Sequence, residues 1–109
     1  MPVREITVEQ LAEALAGGAP PSLVDVRTEG EHEIAALPAS ILVPLHELEG
    51  RVEELSHLRD GPVVVYCHHG VRSKSGAAIL SAAGFRDVVS LRGGIDAWTL
   101  RIDPTVPRY

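Results

Sequence analysis

Apolar residues along the chain recur with two different periods, and the alternation of those periods predicts the element order. TVEQLAEALAGG opens with Thr7 as a helix N-cap and Gln10 three residues later, the spacing of a capping box. Leu11, Ala14 and Leu15 then share one helical face, and Gly17-Gly18 ends the helix. Pro20-Pro21 leads into SLVDV, a short buried strand over 22–26. Polar TEGEHEIAAL predicts a loop and a short helix, stopped by Pro38. ILVPL at 41–45 reads as a brief extended segment. HELEGRVEELSHL, 46 to 58, spaces Leu48, Val52, Leu55 and Leu58 along one helical face. After a turn at Asp60-Gly61 comes PVVVY, the clearest strand, an unbroken apolar run of the kind buried on both faces of a sheet. SKSGAAILSAAGF predicts a helix rich in small residues, ending at Gly84. DVVSL at 87–91 is a further strand, GGIDAWTLR a last helix, and DPTVPRY a tail with two prolines. Such strand–helix alternation predicts an α/β domain with a largely parallel sheet. At 109 residues, residues 1–109 are expected to form one domain.

Composition adjusts this picture in a few places. The large aromatics are Trp98, Tyr66, Tyr109 and Phe85, so the core must be built mainly from Val, Leu, Ile and Ala. Net charge is −5 with no dense Lys/Arg run, which argues against nucleic acid or an anionic membrane as the main partner. One cysteine permits no disulfide within the chain and no Cys/His zinc pattern. MPVREITVEQ lacks the basic-then-apolar order of a signal peptide, and no apolar run is long enough to span a bilayer. A reducing cytoplasm is the expected home for a lone functional thiol.

That thiol is the candidate chemistry. Cys67 closes the PVVVY strand, which puts it at the carboxyl edge of the sheet, where open α/β sheets bind ligands. A tight loop there turns backbone N–H groups inward as an anion nest, and the next helix adds its free N–H groups and dipole. Gly70 can take positive φ, Arg72 carries a permanent charge, and Ser73 can cap the helix. These features favour the thiolate, the form that attacks. The bland alternative is a small buried hydrophobe. It explains the strand but not the glycine, arginine and serine that follow. His68 and His69 are either solvated loop residues or acid/base groups. Two adjacent histidines and a thiol on one tight loop do not converge readily on one ion, so no metal is expected.

Cys67-His68-His69-Gly70-Val71-Arg72-Ser73 resembles the active-site loop of rhodanese-like sulfurtransferases, Cys-x-x-Gly-x-Arg-Ser. Leu23-Val24-Asp25-Val26-Arg27 is similar to the family's Asp-Val-Arg strand. Glu31, Pro38 and Pro44-Leu45 fall where the family has corresponding elements. Ala83-Gly84-Phe85 and Leu91 through Gly93-Gly94-Ile95 to Trp98 resemble its closing motifs. Ala35-Ala36-Leu37-Pro38-Ala39-Ser40 departs from the common Gly-His-Ile-Pro-Gly-Ala. Glu33-Ile34-Ala35 and the Asp103-Pro104…Pro107-Arg108-Tyr109 ending look instead like rhodanese domains fused to adenylyltransferases of sulfur-carrier pathways.

The resemblance implies a three-layer fold with a central, mostly parallel sheet flanked by helices. It implies transfer of sulfane sulfur from a donor such as thiosulfate through a persulfide on Cys67, without a cofactor. His68, His69, Gly70, Val71, Arg72 and Ser73 would form the persulfide loop. Asp25 and Arg27 would support it, with Asp25 the candidate brace for Arg72 and Arg27 either steering anions or purely structural. Implied partners are a small anionic sulfur donor and a thiol or cyanide acceptor, with a sulfur-carrier protein or its activating enzyme as further candidates. Residues 67–74 contain Arg72, Lys74 and two histidines but no acid, which predicts a positive mouth on an acidic body. A non-catalytic binding module is the alternative, although such modules usually lack the cysteine. A phosphatase or arsenate reductase ranks lower, because phosphatases of this type have five residues between cysteine and arginine and this chain has four.

Overall fold

The computed structural model describes residues 3–109; Met1 and Pro2, the start of the MPVREITVEQ segment, lie outside the described residues. Five strands, β1 (Glu5–Ile6), β2 (Ser22–Asp25), β3 (Ile41–Leu42), β4 (Pro62–Tyr66) and β5 (Asp87–Leu91), form one sheet in the order β1-β5-β4-β2-β3. Every pairing is parallel. All carboxyl ends therefore lie on one edge, with β4 in the centre. Helices α1 (Val8–Ala16), α2 (Glu29–Ile34), α3 (Leu45–Arg51), α4 (Arg72–Ala82) and α5 (Gly94–Arg101) connect and flank the strands.

Side chains of a strand alternate between faces, and β4 divides the core accordingly. Val63, Val65 and Cys67 join a cluster with Leu48, Leu55, Ala77, Leu80 and Phe85, beneath α3 and α4. Val64 and Tyr66 join Leu11, Leu37, Leu91, Ile95 and Trp98, beneath α1 and α5. The two clusters make the three layers, and β4 is buried on both faces as its apolar run predicts. Among the described residues no helix is long and apolar enough to cross a membrane.

Two elements differ from expectation. The helix predicted over 46–58 is split: α3 ends at Arg51, whose backbone leaves the helical region (φ −119°, ψ 12°), and Val52–Leu58 continues as a 3₁₀ segment. Gly50 weakens the helix just before the break. Beyond it, Val52, Leu55 and Leu58 are spaced by three, which suits three residues per turn and keeps all three against the core. The other difference is β1, a two-residue strand too short to produce any periodic signal. It is held by pairing with β5, Glu5 opposite Ser90.

Candidate active site

Cys67 follows β4 directly, and the loop to α4 wraps its sulfur. Gly70 N–H donates to Sγ at 3.1 Å and Ser73 N–H at 3.3 Å, while Ser73 Oγ lies 3.5 Å away. The side chain is 1 % exposed. Gly70 has φ +97°, a conformation costly for any other residue; a Cβ there would also lie 3.0 Å from Gly93 N. α5 locks the loop from behind. Ile95 N–H and Asp96 N–H donate to the carbonyls of Cys67 and His68 at 2.9 and 3.1 Å. That approach requires Gly94, whose φ is +62° and whose missing Cβ would collide with both carbonyl oxygens. The glycine pair is thus part of the thiol's cradle.

Ser73 is not the expected helix cap. α4 begins at Arg72 without a side-chain cap, and Ser73 sits one position inside it. Its hydroxyl is committed elsewhere, 2.7 Å from Ser90 Oγ on β5, and both residues are fully buried. The sulfur, rather than a serine, receives the helix's free N–H. Of the remaining loop residues, Val71 is 76 % exposed. His68 and His69 have ring centroids 3.9 Å apart. Burial, with the neighbouring His69, pushes the His68 imidazole below its usual range. Among the described residues no group of three or more His, Cys, Asp or Glu side chains could hold a metal ion.

The expected brace of Arg72 by Asp25 is replaced by Glu31. Arg72 reaches Glu31 with both terminal nitrogens, at 2.7 and 2.9 Å, the bidentate geometry in which arginine and carboxylate bind best. Those hydrogen bonds hold the Glu31 carboxyl well below the usual carboxylate range. Asp25 is already engaged. It accepts from Arg27 Nε, Nη2 and backbone N–H, and lies 2.7 Å from His32 Nδ1. Arg27 is fully buried and also donates to the Ala35 carbonyl. It ties the carboxyl edge together and cannot reach out to steer anions. Burial works against the Arg27 charge, but its hydrogen bonds to Asp25 and Tyr109 outweigh this and keep it firmly protonated.

The expected positive mouth also disappears. Each of the ten Lys and Arg side chains has a carboxylate oxygen within 3.8 Å. Lys74 faces Glu5, and His69 faces Asp96. What remains for an anion at the site is the set of loop amides.

Glu31, Ser90 and Tyr109 are site residues to which sequence reasoning gave no role. Thr28-x-x-Glu31 has the same capping-box spacing as Thr7-x-x-Gln10, and both boxes form, so the start of α2 was legible. The partner of Glu31, 41 residues away, was not. Ser90 and Tyr109 carry no local signal, since each meets the site only through folding.

The model of the rhodanese-like domain matches residues 7–101. A sulfurtransferase from Allochromatium vinosum is 40% identical over 96 residues, covering 88% of each chain. A probable adenylyltransferase/sulfurtransferase, MoeZ, from Mycobacterium tuberculosis is 37% identical over 105 residues; the match covers 95% of this chain but 26% of that one. Among solved structures, a rhodanese-related protein from Thermoplasma volcanium superposes with a TM-score of 0.79 at 31% identity, covering 95% of both chains. The parallel sheet, the glycine-cradled cysteine loop and these matches together mean that the chain belongs to the rhodanese-like domain family.

Proposed function

We propose that the protein is a sulfurtransferase in which Cys67 carries sulfane sulfur as a persulfide, on a single domain spanning residues 1–109. The observation that carries this reading is the pair of backbone N–H groups, from Gly70 and Ser73, aimed at Sγ. Donors fixed by loop and helix geometry stabilise negative charge without having to reorganise as it develops. An attacking thiolate carries its charge on that sulfur, where these donors offset it.

With thiosulfate as donor, the Cys67 thiolate attacks the outer sulfur. The donor's S–S bond breaks, its electron pair leaves with sulfite, and Cys67 becomes Cys67–S–S⁻. A thiolate or cyanide acceptor then attacks the outer sulfur, and the Cys67 thiolate is regenerated. No other cysteine exists in the chain to resolve the persulfide, so the sulfur must pass to another molecule. The likeness to MoeZ supports a sulfur-carrier protein or its activating enzyme as that acceptor. A reducing cytoplasm would keep the lone thiol available.

His68, His69, Gly70 and Val71 form the loop, and Arg72 and Ser73, in the first turn of α4, complete the persulfide site. Arg72, bound by Glu31, holds it in place more than it attracts the donor. Asp25 and Arg27 stiffen the sheet edge below. The test is formation of thiocyanate from thiosulfate and cyanide. Activity in the parent that is lost in Cys67→Ser is expected. Equal rates in parent and variant would reject Cys67 as the carrier, and release of phosphate from an aryl phosphate would favour the phosphatase reading instead.

A further inference from the structure

The tail after α5 returns to the thiol. Val106 packs on the second core cluster, and Arg108 Nε donates to Asp96 Oδ1 at 2.9 Å on α5. Tyr109 then enters the site. Its hydroxyl accepts from Arg27 Nη1 and donates to Glu31 Oε2, both at 2.7 Å. Burial pushes its phenol up to about 12, so the donated proton stays in place. The ring lies flat on His68, centroids 4.0 Å apart and planes 9° from parallel.

These contacts reach both ends of the cysteine loop. His68 is the first residue after Cys67. Arg72, where α4 begins, is held by Glu31, whose second oxygen Tyr109 also binds. We propose that Tyr109 is a positioning residue for sulfur transfer: its ring fixes the start of the loop through His68, and its hydroxyl fixes Arg72 through Glu31. The inference rests on the reading of Cys67 as the sulfur carrier. Its physical basis is that a thiol 1 % exposed can be reached only as far as the loop around it gives way. A side chain clamping both ends of that loop governs the access.

The two contacts can be separated. Tyr109→Phe keeps the stacked ring and loses the hydroxyl; Tyr109→Ala loses both. Val52→Ala, a core truncation at the start of the 3₁₀ segment, controls for general loss of stability. Two rates are read with melting temperature alongside: alkylation of Cys67 by iodoacetamide, and kcat/KM for sulfur transfer from thiosulfate to cyanide. Tyr109→Ala is expected to alkylate about fivefold faster and transfer sulfur about fivefold more slowly. Tyr109→Phe, which keeps the His68 stack and loses the contact to Glu31, is expected to alkylate at a rate between those of the parent and Tyr109→Ala while its transfer falls, with KM for the donor carrying the change. Val52→Ala lowers the melting temperature and leaves both rates within about twofold. If Tyr109→Ala behaves like Val52→Ala, or if Tyr109→Phe alkylates as fast as Tyr109→Ala, the inference is overturned. Alkylation needs no sulfur transfer, so failure of the carrier reading and failure of this inference are told apart.

Discussion

Glu31 is the busiest side chain at the residue scale. One oxygen accepts from Arg72 and from the Thr28 backbone, the other from Arg72 and Tyr109. Arg72 remains 37 % exposed against 19 % for Glu31, so solvent screens the pair and it contributes about 1 kcal/mol. The hydrogen bonds from Arg72 hold the Glu31 carboxyl below its ordinary value of 4.5. A carboxylate depressed in the folded state stabilises the fold above the unfolded value, and that contribution is lost as pH falls. Glu31→Gln should therefore be less stable than the parent to urea at neutral pH, and the gap should narrow below about pH 4.5. A gap unchanged down to about pH 3 would mean that the pair contributes nothing. Asp25 illustrates what residue-level reading misses. Its place at the sheet edge was legible from the strand pattern. Its partner was not, because Arg27, two residues on, curls back and takes both oxygens.

Two helices begin with capping boxes and one begins on a sulfur, and that contrast organises the elements. α1 and α2 each satisfy their first N–H groups with a threonine and a paired Gln or Glu. α4 gives its Ser73 amide to Cys67. The two boxes are alike locally and differ in what they support. Thr7→Ala and Thr28→Ala should each cost about 1 kcal/mol of stability. Only Thr28→Ala should also slow sulfur transfer, because its box orients Glu31 toward Arg72. Thermal melts and initial rates on the two variants check this, and equal rates would uncouple α2 from the site. Elements with a cap or an apolar run, α1, β4 and β5, were readable because their signals lie within a few residues. The break at Arg51 and the existence of β1 were not, because packing against distant residues decides them.

At the scale of the whole molecule, an acidic body with every Lys and Arg side chain paired does little to draw a dianion from a distance. In the proposed reaction, recognition of the donor would fall instead on the amides around Cys67, where the parallel sheet, the loop after β4 and the N-terminus of α5 converge. The sequence motifs pointed to that convergence, since Gly70, Gly93 and Gly94 are the residues whose close approach builds it. Charge balance was not legible, because each cation near the loop is answered by an acid from another element: Glu31 from α2, Glu5 from β1, Asp96 from α5. The structure therefore presents a shielded thiol with fixed donors and no second thiol to relieve it. Intact-protein mass spectrometry after treating the reduced chain with thiosulfate reads that state without any acceptor. One added sulfur atom on the parent, removed by cyanide and absent from Cys67→Ser, is the expected result. A parent mass unchanged by thiosulfate and by polysulfide, or an adduct that persists in Cys67→Ser, would contradict the assignment of Cys67 as the sulfur carrier.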